Sequence, residues 1–506
     1  VTRRALLVLL ALAALAAPAP VARAAEPEVL VLLWFDTEDY LLPASDDAAR
    51  RVAEILTARG VRGTFKVVGE KARVLRSRNR ADVVAALKKH DIGYHSNLHS
   101  VHPTPAEYLA QHGWHDGVAE FVRREQAGAR DVKNLFGLAS LSCYGQPGSS
   151  WAPQTLAALR PLGIVSYVDE ADHVGLDERP FWYAGVLNVF NMGRNLTRMD
   201  LHEKDGLAKG QAEFKAAYDR LRAEGGGLIS VYYHPAEWVH AEFWDAVNFR
   251  RGANPPREEW KRPRQRPSAE TEAAYKRFDD YVAYQLSLPG VRHVTAGDLP
   301  SLYANRIRAE AADLATLRAV AEKVAAGGAL DVVRDGAGRV VSPAEQFAMI
   351  VRFLSRAVEE ERLPPRTKVT TPLGPAEKPS ATEVTELPWP AFRDALLEVQ
   401  DQLATHDQIP ARVFAGTKTI APADFLRAAA TVAAAAAATN KDRPTFPDRV
   451  TIPTGTTVAT ERYVANDTPE LFGGWIIHPE GFRAPRIVEL AKLQAWTLKP
   501  AERAAR

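Results

Sequence analysis

Up to about residue 308, apolar residues come in short unbroken runs, each followed by a stretch where they recur every three or four places. Residues 28–35 (EVLVLLWF) are apolar without alternation, the pattern of a parallel strand buried on both faces, and the run stops at Asp36. Asp46 and Asp47 then cap a helical pattern, AARRVAEILTAR, which ends at Gly60. Residues 61–68 predict a second strand, 80–90 a helix, and 92–95 a short third strand. Strand and helix therefore alternate with short joints, as in βαβ units. Further helices are predicted after the Thr104-Pro105 cap and at 117–130, 150–162, 207–224 and 269–288. Strands are predicted at 138–144, 163–168, 228–233 and 293–295, with a strand pair at 181–190. Asp36, His95, Asp169 and His234 each follow the carboxyl end of a separate predicted strand. In parallel α/β architectures those ends converge on one rim, where ligands bind.

The pattern changes after residue 308. Residues 309–326 form an alanine-rich helical stretch with no strand near it. Residues 342–369 and 389–414 read as weak copies of each other: helix, acidic turn, then Leu363-Pro364 or Ile409-Pro410 and a basic residue, at an offset of 46. A proline-rich joint at 372–379 separates them, and 428–438 is nearly pure alanine. At the other end, Arg3 and Arg4, an apolar run at 5–17 and Ala22-Arg23-Ala24 have the form of a signal peptide. The expected organisation is a leader at 1–25, an α/β domain at 26–308 and a mainly helical region at 309–506. The expected location is secreted or periplasmic, with attachment to the cell surface as a further option.

Composition narrows the function classes. The formal charge of +2 becomes slightly acidic once the three leader arginines are set aside, which speaks against a nucleic-acid partner. Cys143 is the only cysteine, so neither an intramolecular disulfide nor a cysteine-based zinc motif can form. The stretch DIGYHSNLHSVHP (91–103) stands out instead. If it opens a helix, His95 and His99 share one face and can reach one metal ion. The third ligand is sought in the upstream WFDTEDY (34–40). Asp36 and Glu38 share a face if the strand continues, whereas Asp39 fits a turn, so both Glu38 and Asp39 are carried as candidates.

In this order the motifs resemble those of the polysaccharide deacetylases, the NodB-homology or carbohydrate esterase family 4 group, over roughly the first 300 residues. FDTED (35–39) looks like the first motif, GTFKVVGE (63–70) the strand after it, and YHSNLHSVHP the histidine-x-x-x-histidine motif. CYGQPGSSW (143–151) stands where a third motif belongs, and SVYYHP (230–235) is similar to the last one. The resemblance implies a distorted (β/α) barrel with fewer than eight strands. It also implies a metal-dependent deacetylase removing N-acetyl, or O-acetyl, groups from a cell-wall or extracellular polysaccharide. Asp36 would be the base and His234 the acid. His95, His99 and either Glu38 or Asp39 would hold a divalent ion, zinc first, with cobalt, nickel or iron as options. Asp169 and Asp172 would stand in for the family's acidic fourth motif. The family's third motif opens with an arginine that orients the base, and here that place falls on Leu141. A non-catalytic glycan-binding protein on the same fold is therefore the rival expectation. Tyr144, Trp151 and Trp238 are candidates for stacking on sugar rings. His102 is read as a residue behind the metal ligands or on the substrate side, and Glu237 as a solvated acid. The C-terminal copies weakly resemble pseudomurein-binding repeats, which would imply cell-wall glycan as a partner.

Overall fold

The structure is a computed structural model that describes residues 27–439 and 443–504; the leader-like segment lies outside them. Its organising element is β1 (Val29–Thr37), all nine residues of which are buried. One side of β1 pairs in parallel with β9 (Gly227–Tyr233). The other side is shared: β10 (Val291–Val294) covers positions 29–32, and β2 (Thr64–Val67) covers 34–37. The sheet continues in parallel through β3 (Asp91–Tyr94), β4 (Leu141–Tyr144), β5 (Ile164–Val168) and β7 (Val186–Val189), with β6 (Phe181–Tyr183) antiparallel to β7. β8 (Leu196–Thr197) lies beyond β9. Lys499–Pro500 pairs with β6 at the far edge, and no described strand joins that edge to β8, so the sheet stays open. The fold is the expected α/β class with an incomplete barrel and a mainly helical C-terminal region.

Side chains alternate between the two faces of a strand. Val29, Val31, Leu33 and Phe35 point into the larger core beneath the covering helices, with Phe65 and Tyr233. Leu30, Leu32 and Trp34 point the opposite way, into a second core with Leu228, Cys143 and Val168. Asp36 continues this second series as the apolar run ends. The same alternation on β2 and β9 sends Lys66 and Tyr232 to that inner face, away from Phe65 and Tyr233.

The C-terminal region has its own core, built from the helices Leu314–Ala325, Pro343–Glu359, Trp389–His406 and Pro422–Ala438. Both copies seen in the sequence run from helix to short strand, but the strands pair differently. Arg366–Thr367 pairs with Ala312–Asp313, whereas Val413–Ala415 forms a hairpin with Lys418–Ile420. The chain then returns: Val464, Phe472, Ala484, Ile487, Ala491 and Leu498 all belong to the barrel's core. A buried ion pair from Lys499 to Glu345, at 2.7 Å, ties the two cores together. The last forty or so residues thus pack mainly on the barrel, while Trp496 belongs to the core of the helical region and Gln494 bonds to Gly374 there.

Candidate metal centre

Four strand ends and one loop build the site. The loop after β3 is not the helix that the spacing of His95 and His99 suggested. Ser96 and His99 adopt left-handed φ values of 63° and 57°, which an α-helix cannot accommodate. The loop is held by backbone bonds from Gly69 to Ser96 and from Glu70 to Asn97, both 2.9 Å. The turn still brings the two imidazoles together, with ring centroids 4.9 Å apart.

Each histidine is fixed through Nδ1. His95 Nδ1 donates to the Gly145 carbonyl (3.0 Å). His99 Nδ1 donates to Ser100 Oγ (2.6 Å), whose hydroxyl in turn donates to Asp245 (3.2 Å). Both Nε2 atoms are thereby aimed at Glu38, whose Oε2 lies 2.8 Å from His99 and 3.6 Å from His95. His99 Nε2 is buried and has no aligned hydrogen-bond partner, as suits a lone pair meant for a metal. Glu38, His95 and His99 form one buried group able to hold an ion. Burial opposes charge on Glu38, yet His99 and His234 beside it hold its pKa well below the carboxylate range. Burial lowers the pKa of His95. On His99 burial works the same way, but Glu38 outweighs it and raises the pKa.

Asp39 faces away. Its Oδ1 accepts from the backbone N–H of Leu41 (2.7 Å), and its Oδ2 lies 3.0 Å from His240 Nδ1. It fixes the turn into the helix Pro43–Ala58, so of the two acids carried forward Glu38 is the one at the histidines. The parity of β1 is the reason: Glu38 continues the inner series of Trp34 and Asp36, and Asp39 does not.

Asp36 sits between two cations. Its Oδ1 is 2.9 Å from Lys66 Nζ, and its Oδ2 is 3.6 Å from His234 Nε2. Lys66 and Asp36 are direct partners in the register of β1 and β2. The same ammonium lies 2.5 Å from Asp169 Oδ2, donates to the Val168 carbonyl (2.8 Å), and rests over the Trp34 ring. Burial works against the charge on Lys66, but Asp169 and Asp36 prevail and raise its pKa. A second metal-capable group, Asp36 with His95 and Asp169, already holds this ammonium between its two carboxylates. Burial pushes Asp169 up to about 7, against the pull of Lys66. Asp172 is exposed.

His234 follows β9. Its Nδ1 donates to Glu237 Oε1 at 2.6 Å, which leaves Nε2 toward Asp36. Glu237 is no solvated acid: it also pairs with Arg198, which follows β8. Burial resists the charge on His234, but Glu38, Glu237 and Asp36 raise its pKa to about 9. Burial likewise opposes Glu237, and Arg198 and His234 bring it down to about 2.

The cavity over these groups has a volume of about 470 Å³. Its aromatic lining is Trp34, Tyr232, Phe243 and Trp475. The aromatics chosen from sequence are elsewhere. Tyr144 (0% exposed) packs on Tyr94, Phe121 and Tyr167; Trp151 (1%) stacks on His173; Trp238 (0%) stacks on Tyr275. All three side chains belong to the larger core, which fills that side of the sheet with aromatic rings. His102 bonds Glu107 at 2.7 Å and does not line the cavity. Of the functional residues that sequence reasoning passed over, Lys66 carried a signal, being a charge inside an apolar strand. Arg198, Asp245 and Trp475 carried none.

No family model matches the chain, and no curated protein matches it either. Solved structures do. A Mycobacterium smegmatis protein assigned as a polysaccharide deacetylase aligns over 56% of this chain and 92% of its own, at 16% identity and a TM-score of 0.35. The allantoinase PuuE aligns over 55% and 90%, at 13% identity and a TM-score of 0.36. A family 4 carbohydrate esterase from Streptomyces lividans aligns over 52% and 91%, at 15% identity and a TM-score of 0.27. These likenesses concern the fold alone, and the chemistry has to be argued from the site.

Proposed function

We propose that this chain is a metal-dependent hydrolase that removes N-acetyl groups, or O-acetyl groups, from an extracellular or cell-wall glycan. The observation that carries the reading is the convergence of Glu38, His95 and His99 on one point, with Asp36 and His234 beside it. Two imidazoles and one carboxylate match a catalytic divalent ion, with zinc the best fit, and His99 Nε2, turned toward Glu38 without an aligned hydrogen bond, fits that role. When bound, the ion supplies Lewis acidity to a water and to the acyl oxygen.

The chain's own residues supply the proton transfers. Asp36, anchored by Lys66, takes a proton from the water as its oxygen bonds to the acyl carbon. His234, oriented by Glu237, gives a proton to the nitrogen as the carbon–nitrogen bond breaks. Acetate and a free amine leave. The arginine missing at position 141 was the reason to consider a non-catalytic binder. Lys66 supplies a cation to Asp36 from the neighbouring strand, which favours the hydrolase. Export, and glycan contact by the C-terminal region, belong to the same proposal.

The test is metal content and acetate release measured together, on the protein and on a His95→Ala/His99→Ala variant. One divalent ion and acetate release, both lost in the variant, support the reading. Acetate release that persists in the variant overturns it.

A further inference from the structure

The cavity is walled in part by a segment from the far end of the chain. Residues 472–478 cross the rim beside the loop that carries His99. On one flank Ser149 Oγ donates to the Phe472 carbonyl at 3.0 Å. On the other, the backbone N–H groups of Arg251 and Gly252 donate to the carbonyls of Ile476 (2.8 Å) and Ile477 (2.7 Å). The segment thus links the loop after β4, through one side-chain hydrogen bond, to the loop after β9, through two backbone bonds, making a fence over the His99 side of the site. His478 Nδ1, donating to the Phe472 carbonyl at 2.9 Å, fixes its internal fold.

Trp475 is the part of the fence that meets the site. Its ring stands edge-on to the His99 ring, with centroids 5.7 Å apart at 84°. It lies flat against the turn at Gly148, where a Cβ would come within 2.3 Å of the indole. Gly148 has φ +50°, so the turn needs glycine both for its backbone and for the closeness of the ring. Phe243 (37% exposed) and Ile476 (45% exposed) are among the few large apolar side chains left open to solvent, and both line the same cavity. Apolar side chains exposed together at the mouth of a polar cavity mark a binding surface.

We propose that Trp475, with Ile476 and Phe243, determines specificity by receiving the apolar face of the acylated residue, and that the fence admits that residue only at a chain end. A polymer running through the site would need open rim on both sides of the ion-binding group, and on the His99 side the linked segment takes that place. The inference rests on the hydrolase reading for its substrate class. The wall itself does not depend on whether the site turns over.

The probes are N-acetylglucosamine and its β-1,4-linked oligomers of two to six units, with a high-molecular-weight N-acetylated polymer for comparison. Binding to the zinc-loaded protein is followed by calorimetry, and the position of deacetylation is read by mass spectrometry of the products. Trp475→Ala and Trp475→Phe are compared at equal zinc content, which reports that the site has stayed folded. The expected result is binding whose affinity stops rising after the first one or two units, with acetate lost from a terminal unit. Trp475→Ala should weaken binding at least tenfold, and Trp475→Phe should recover most of it. Deacetylation of internal units, tighter binding of the polymer than of the dimer, unchanged binding by Trp475→Ala, or no binding of any probe would each overturn the proposal. Bound zinc with no acetate released, but with binding lost in Trp475→Ala, would sink the hydrolase reading and leave the pocket standing.

Discussion

Replacing Lys66 with methionine keeps the bulk of the side chain and removes the charge that separates Asp36 from Asp169. Ligand oxygens of those two acids lie within 4.8 Å of each other. At an effective dielectric of about 20, two full charges at that distance would repel by about 3.5 kcal/mol, which sets the ceiling of the effect because Asp169, already raised to about 7, can take up a proton instead. Removing one partner from a buried charge cluster typically costs about 3–5 kcal/mol, so the two arguments agree. Urea unfolding of Lys66→Met should therefore show a loss of that order. In the double variant Lys66→Met/Asp169→Asn only one carboxylate remains, and most of the loss should be recovered. The cycle thus yields a coupling energy of about 2–3 kcal/mol. The same double variant separates stability from positioning. It should fold and bind zinc, yet release acetate about 100-fold more slowly, because Asp36 has lost the ammonium 2.9 Å away that aims it. Additive stability effects, or a double variant within twofold of the parent's rate, would refute the assignment of Lys66 as the group that positions Asp36.

Three further outcomes follow from the same geometry. Glu38→Ala should abolish zinc binding measured by elemental analysis, whereas Asp39→Asn should keep it and lose about 1 kcal/mol through its weakened turn. In zinc-free protein, His234 with its pKa raised to about 9 adds stability that is complete below pH 6.5 and disappears as pH rises through 9. The change should be about 3 kcal/mol in urea titrations, and Glu237→Gln should flatten it. Trp238→Ala should cost about 3–5 kcal/mol by opening a cavity in the larger core, with zinc content unchanged in the folded fraction; an emptied metal site there would contradict its placement.

The strands were legible because burial on both faces writes an unbroken apolar run, and their polar termini marked the rim correctly for Asp36, His95, Asp169 and His234. Parity along β1 carried more than was drawn from it. Once Leu30, Leu32 and Trp34 are known to face inward, Glu38 follows and Asp39 is excluded. The helix expected at His95 failed because spacing alone cannot tell a helix from a loop. There the chain turns through two left-handed residues, where Gly69 and Gly128, from outside the segment, pack closely on Asn97. Aromatic residues near the rim misled for a related reason. Tyr144, Trp151 and Trp238 are close to strand or helix ends in sequence, but the face they occupy belongs to the core.

The apparent absence of an orienting cation shows where motif reading stops and geometry begins. Position 141 holds leucine, and in this fold Leu141 is buried in the larger core. What Asp36 needs is a positive charge within hydrogen-bond reach of its Oδ1, whichever strand supplies it. The register of β1 with β2 places Lys66 directly opposite, and the parity of β2 aims it at the same inner face. A lysine inside TFKVV, where every neighbour is apolar or small, would cost several kcal/mol to bury without partners. Its presence in the sequence therefore already required acids nearby, and Asp36 and Asp169 are the acids that satisfy it. A buried charge in an otherwise apolar strand thus indicates partners across the fold, and that is a requirement of solvation that no motif spacing expresses.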